Sequence, residues 1–354
     1  MTINKGNRAR PITIFTPSWA DEDNTNAQNL TVKEVVARLP EDIFRVVMSC
    51  NGKPDPRLAA RKNTILLKHR KHGNTVHLLT RLVLSQPDIY FFPRTGPLDR
   101  AVLASRKSRL LRSALVTYIV MAMNDATSLP LIERCVREGT AVIGNSQYVA
   151  ETVRQRFGTR AGVICDGVDA RYFFPPASKP DGPPTVLYAG SFQARKRVER
   201  VIEQAARWSA VQFRLAGRGE TELGCRALAD RLGCRNVTFL GHLPSNLLGE
   251  EMRKADVFLF PSVLEGHPQV LLQAAASGLP AVAMNVYHPD YVVHGETGFL
   301  VESDEQLAEK LDLLLADPGL RRAMSAASVR HVRQYDWDRI TQQWAEVFLG
   351  VAKP

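Results

Sequence analysis

Cysteine is scarce, and its placement is uninformative for cross-linking. Cys50, Cys135, Cys165, Cys225 and Cys234 are odd in number and show no C-x-x-C spacing, which argues against a disulfide framework and against a zinc site. Buried, reduced thiols are expected. Long apolar runs are also missing: the most apolar stretch, Ser113 to Met123, falls well short of the roughly 20 residues that cross a bilayer, and reads as a buried strand. The N-terminus has basic residues but no apolar core before its first strand, so no secretory signal and a cytoplasmic location are expected. The eight histidines show no HExxH or paired-ligand spacing. Low-complexity tracts and repeats of solenoid length do not occur.

What is present is an ordinary globular composition, 45% hydrophobic and 23% charged over 354 residues. That length suits two domains of about 100–200 residues each. The net charge of +10 is uneven: residues 1–170 hold 25 Lys and Arg against 15 Asp and Glu, whereas the remainder balances. Basic clusters at Arg57–Lys62, Lys68–Lys71 and Arg100–Arg112 either hold the protein to anionic lipid, peripherally at the inner face of the membrane, or are solvated helix faces. Basic patches alone are not a nucleic-acid motif, so no nucleic-acid partner is expected.

Strand and helix patterns alternate, which favours parallel sheets covered by helices on both faces. Expected strands are 12–16, 45–49, 64–68, 88–92, 115–121, 141–144 and 162–165, with helices over 28–39, 99–113 and 146–157. Five prolines and a glycine between Tyr172 and Pro184 cannot continue a helix or a central strand, and the domain linker is placed there. The alternation then restarts with strands 185–189, 212–216, 237–240, 257–260, 280–283 and 298–301 and helices such as 198–208 and 250–254. The expected domains are thus 1–172 and 173–336, with 337–354 a final helix. Ligands of such sheets sit beyond the carboxyl ends of the strands.

The chemistry-bearing residues stand in those loops. After the apolar strand 257–260, a polar turn carries Glu265, Gly266 and His267, and a helix begins near Pro268. Backbone N–H groups at that helix start favour a diphosphate. Gln269 and Gln273, with Val270 between them, lie in its first turns, and the two glutamines share a face. After the strand 185–189 come Gly190 and Ser191, then the cations Arg195, Lys196 and Arg197. Cations there can neutralise charge developing on a leaving diphosphate. Two further loops carry Gly217, in a Gly-x-Gly turn, and Leu243.

This constellation resembles family 4 of the retaining glycosyltransferases. Glu265 matches the first Glu of that family's Glu, seven residues, Glu signature, and Gln273 replaces the second. Gly190 and Lys196 match its Gly-Arg-x-x-x-x-Lys-Gly pattern, while Ser191 replaces the Arg and Arg197 the last Gly. The resemblance, over about residues 141–350, implies a GT-B fold: two doubly wound Rossmann-like α/β domains facing across a cleft, with a C-terminal helix returning to the first. It also implies a retaining transfer of sugar from a nucleotide-diphosphate donor to a hydroxyl acceptor. Glu265 and Lys196 become the catalytic pair, Glu265 on the sugar hydroxyls, with Gln273 at the ribose diol. Gly190, Ser191, Arg195, Arg197, Gly217, Leu243, Gly266, His267, Gln269 and Val270 become donor-binding positions, the loop at Leu243 reading the base. The first half departs from the family: Asp21–Asn29 replaces its Gly-Gly loop and Asn124-Asp125 its His-Asp pair. Asn24, Asn26, Asn124 and Asp125 are the acceptor-side positions. Asp21 and Asp23 fit an Asp-x-Asp metal pattern that acidic loops also produce by chance, and neither metal nor cofactor is expected. The alternatives are a catalytically silent nucleotide-sugar-binding protein, or a phosphorylase or epimerase of the same fold.

Overall fold

The computed structural model describes residues 10–22, 27–92, 96–123, 130–178 and 182–352. Two compact units emerge, one formed by Met1–Asp166 with Trp337–Pro354 and the other by Gly167–Asp336. Residues ahead of the proline-rich segment already belong to the second unit. Val168 N donates to Tyr335 O at 2.9 Å, and Arg253 Nη1 donates to Tyr172 O at 2.8 Å.

In the first unit, β1 (Ile12–Trp19), β2 (Phe44–Cys50), β3 (Thr64–Lys68), β4 (Ile89–Phe91), β5 (Ala114–Ile119), β6 (Ala141–Gly144) and β7 (Gly162–Val163) form one sheet. Its order is β3-β2-β1-β4-β5-β6-β7, and every pairing is parallel. Helix boundaries follow local chemistry. Ser146 caps the helix Gln147–Phe157 by accepting from Val149 N, and Gly158 ends it at φ +66. The helix expected over 99–113 runs Pro97–Lys107 and stops where Arg109 turns left-handed at φ +59. The final helix, Trp337–Val351, packs into this unit: Trp344 and Phe348, both fully buried, each stand 5.0 Å from the Phe91 ring.

The second unit is built the same way from β8 (Thr185–Ala189), β9 (Gln212–Ala216), β10 (Val237–Gly241), β11 (Val257–Phe260), β12 (Ala281–Met284) and β13 (Gly298–Val301). Its parallel order is β10-β9-β8-β11-β12-β13, so the winding reverses between β8 and β11. All four residues of β11 are buried, as expected of a central parallel strand covered on both faces. Both domains are therefore doubly wound α/β sheets, and no described helix is long and apolar enough to cross a membrane.

No disulfide joins the five cysteines; Cys50, Cys135 and Cys225 are buried, whereas Cys165 and Cys234 are only half-buried. Several first-unit cations do not form a surface patch. Arg57 pairs with Glu34 and Asp55, buried Arg61 donates to Ala37 O and Leu39 O, and Arg106 donates to Ser113 O and Glu138 O. Asp21 spends its carboxylate on the backbone N–H groups of Asn51 and Gly52. Asp23, Asn24, Asn26, Asn124 and Asp125 lie outside the described residues.

Candidate active site

The switch point between β8 and β11 brings Arg195, Lys196 and Glu265 together. β8 ends at Ala189, and the chain then passes through Gly190 and Ser191 into a single 3-10 turn, Ala194–Lys196. β11 ends at Phe260 and leads through Ser262 to Glu265. The two loops are tied together by Val263 N donating to Arg195 O at 3.0 Å.

Three donors converge on one oxygen of Glu265. Ser262 Oγ donates to Oε1 at 2.5 Å, Arg195 Nη1 lies 3.1 Å from the same atom, and Lys196 Nζ forms a close ion pair with it. Arg195 Nη1 also donates to Leu264 O at 2.7 Å. Among the described residues, Oε2 accepts no hydrogen bond. Glu265 and Lys196 are each 8% exposed, so two residues of polar turns form a buried ion pair. Burial lowers the pKa of the Lys196 ammonium, and Glu265 opposes that shift; the Nζ also lies 5.0 Å above the Phe260 ring. Two cations face one carboxylate, leaving an excess of one positive charge.

Arg197 goes elsewhere. Its guanidinium pairs with Asp304 at 2.7 Å, and its backbone is left-handed, at φ +53 and ψ +45. The related pattern has glycine at this position, and the conformation supplies the reason: a side chain costs about 1–2 kcal/mol there. The ion pair to Asp304 holds the residue in place.

Close contact leaves no room for a side chain at either glycine of these loops, a Cβ on Gly190 standing 2.8 Å from the Tyr188 hydroxyl. Gly190 N donates to Ala216 O at 3.0 Å, and a Cβ on Gly217, at φ +144, would stand 1.8 Å from Gly190 O. Ser191 O accepts from the buried Tyr188 hydroxyl at 3.2 Å. Gly266 and His267 are buried, and the His267 ring stacks on Tyr291 at 3.7 Å with Nε2 3.6 Å from Asp290 Oδ2. Pro268 precedes the helix Gln269–Ala276, on which Gln269, Val270 and Gln273 are half-buried. Leu243 is half-buried in the loop after β10.

Sequence reasoning missed Ser262 and Tyr287. Ser262 stands three residues before Glu265 in the same loop, a spacing that suits a hydroxyl-to-carboxylate hydrogen bond. Tyr287 gives no sequence signal; its fully buried hydroxyl has no protein partner among the described residues, and burial together with Glu265 raises its pKa well above the usual phenol value.

Two doubly wound parallel sheets of these strand orders, with an ion-paired carboxylate at the second switch point, define a protein of GT-B fold. Residues 169–331 match the family described as Glycosyl transferases group 1. Among curated relatives, the glycogen synthase of Mycobacterium tuberculosis is 29% identical over 232 residues, 62% of this chain and 56% of its own. The chain thus spans little more than half of that relative. A GDP-mannose-dependent alpha-(1-6)-phosphatidylinositol monomannoside mannosyltransferase of the same species is 26% identical over 98% of this chain and 91% of its own. The structure of Anabaena HepE in complex with UDP and glucose superposes with a TM-score of 0.77 at 17% identity, covering 96% of this chain and 100% of that one.

Proposed function

We propose that the protein is a retaining glycosyltransferase of family 4, moving a sugar from a nucleotide-diphosphate donor to a hydroxyl acceptor in glycan, glycolipid or glycosylated-metabolite synthesis. The carrying observation is Glu265: three donors fix Oε1, and Oε2 is left to accept from sugar hydroxyls. The group 1 match over 169–331 and the mannosyltransferase similarity over nearly the whole chain support the same reading.

In this reaction the acceptor oxygen bonds to the anomeric carbon on the face from which the diphosphate leaves. The bond from that carbon to the phosphate oxygen breaks, and the acceptor proton passes to the leaving phosphate. No enzyme nucleophile takes part. Lys196 and Arg195, with backbone N–H groups near Gly266 and His267, hold the charge that builds on the phosphate. Because protein cations supply that charge, initial-rate assays in chelator should retain full transfer, and NMR of the product should show the donor's anomeric configuration. Transfer that vanishes in chelator and returns with added metal overturns the charge assignment; an inverted anomer overturns the mechanism.

Ser191 and Gln273 favour a second reading, a nucleotide-sugar-binding protein without turnover. Donor hydrolysis or transfer separates the two. On this reading Gln273 faces the ribose, where a carboxylate accepts a charge-assisted hydrogen bond that an amide does not. Gln273→Glu is therefore expected to tighten nucleotide binding by roughly 1–3 kcal/mol. Identical affinities by calorimetry remove Gln273 from the ribose site.

Peripheral contact with anionic membrane is assigned to the exposed cations Lys68, Arg70, Lys71, Lys107, Arg109 and Arg112 of the first unit. Cosedimentation with anionic vesicles should exceed that with neutral vesicles and fade as salt rises. Equal retention on both at low salt argues against it.

A further inference from the structure

Lys196 and Arg195 sit in a single turn whose far end is Arg197, and Arg197 is left-handed, a conformation that disfavours a residue with a side chain by about 5- to 30-fold. Whatever holds Arg197 there holds the two cations before it. The helix that follows, Val198–Arg207, cannot give way, because Val198, Val201 and Ile202 are fully buried. A relaxation of φ at Arg197 therefore displaces the other side of the residue, the turn that carries Lys196 and Arg195.

Asp304 supplies the hold. It opens the helix Asp304–Ala316, which Ser303 caps by accepting from Gln306 N at 3.3 Å, and the positive end of a helix favours a carboxylate. Both of its oxygens accept from Arg197 Nη2, at 2.7 and 2.5 Å, and Arg200 Nε lies 3.2 Å from Oδ2. The same two helices are joined a second time: Arg207 Nη2 lies 2.7 Å from Asp312 Oδ2, and Trp208 Nε1 donates to Asp312 Oδ1 at 2.8 Å. Asp312 thus clasps the same seam at the other end of Val198–Arg207, away from the cations.

We propose that Asp304 is a positioning residue: by keeping Arg197 left-handed, it sets Lys196 and Arg195 against the leaving diphosphate. This rests on the nucleotide-sugar reading given above. It also accounts for the departure from the related pattern at position 197. Glycine takes the left-handed conformation without help, whereas arginine needs a fixed carboxylate, and this chain carries one at the start of a helix. Asp304 acts in this way without touching the donor.

The test is calorimetric titration of the full chain with UDP and GDP, which carry in full the charge that builds on the leaving group, with melting temperatures alongside. Asp304→Ala should weaken whichever nucleotide binds wild type more tightly by about 5- to 30-fold. Adding Arg197→Gly to Asp304→Ala should restore the affinity, since glycine removes both the backbone penalty and the unpaired cation. Asp312→Ala opens the same seam at its other end, and should lower the melting temperature without weakening the nucleotide. Equal losses of affinity in Asp312→Ala and Asp304→Ala reduce Asp304 to a structural role and overturn the proposal. So does a double variant no better than Asp304→Ala, which places Arg197 itself on the phosphates, and so does tighter binding in Asp304→Ala. A wild type that binds neither nucleotide defeats the nucleotide-sugar reading itself, a result distinct from failed rescue.

Discussion

Glu265→Ala is expected to lower sugar transfer by 10²-fold or more, because it removes both the carboxylate proposed to orient the sugar and the anchor of Lys196 and Arg195. The same change should destabilise the second unit by about 3–5 kcal/mol, since it leaves the buried Lys196 without its partner. Replacing both members, as Glu265→Gln with Lys196→Met, removes the uncompensated charge and should recover much of that stability without recovering transfer. Initial rates and melting temperatures of these variants separate the two roles. Near-wild-type transfer in Glu265→Ala sinks the site assignment. An unchanged melting temperature shows instead that the ion pair does not support the fold.

Gly217→Ala should be the most damaging single methyl group in the second unit. Its Cβ would lie 1.8 Å from Gly190 O, and a backbone carbonyl cannot swing aside as a side chain can. The φ of +144 adds its own penalty for any residue but glycine. The loops after β8 and β9 must separate, at a cost of about 4 kcal/mol or more, and nucleotide binding should go with them. Gly224→Ala is the matched control: it lies in the helix Glu222–Arg231 with nothing within 4 Å of the new methyl, and should gain about 0.4–1 kcal/mol. Equal melting temperatures for the two variants contradict the close approach of the loops.

Much of this architecture was legible in the sequence because the strands are short, apolar and bounded by breakers. Strands 64–68, 141–144, 185–189, 212–216, 257–260 and 298–301 are found with the expected limits. Two helices of the first unit lack a clear start signal or are short. Asn74–Ser85 begins after a left-handed Gly73 with no side-chain cap, and Pro56–Ala60 is only five residues long. At the site, motif spacing located Glu265 and Lys196 but not their depth: turn residues read as exposed, whereas packing between the loops after β8 and β11 buries them together. Three consecutive cations also read as one cluster. A left-handed backbone at Arg197 turns its side chain to Asp304, and no spacing rule reveals that.

The final helix has a consequence for synthesis. Gly167–Asp336 is one uninterrupted run, so the second unit has all of its residues as soon as that run leaves the ribosome. The first unit begins earlier yet lacks Trp344 and Phe348, the side chains that close over Phe91. Until they arrive, that apolar face stays open to water and to other nascent chains. The domain started first is therefore finished last, and a stop codon ahead of Trp337 leaves the second unit whole while removing a wall of the first.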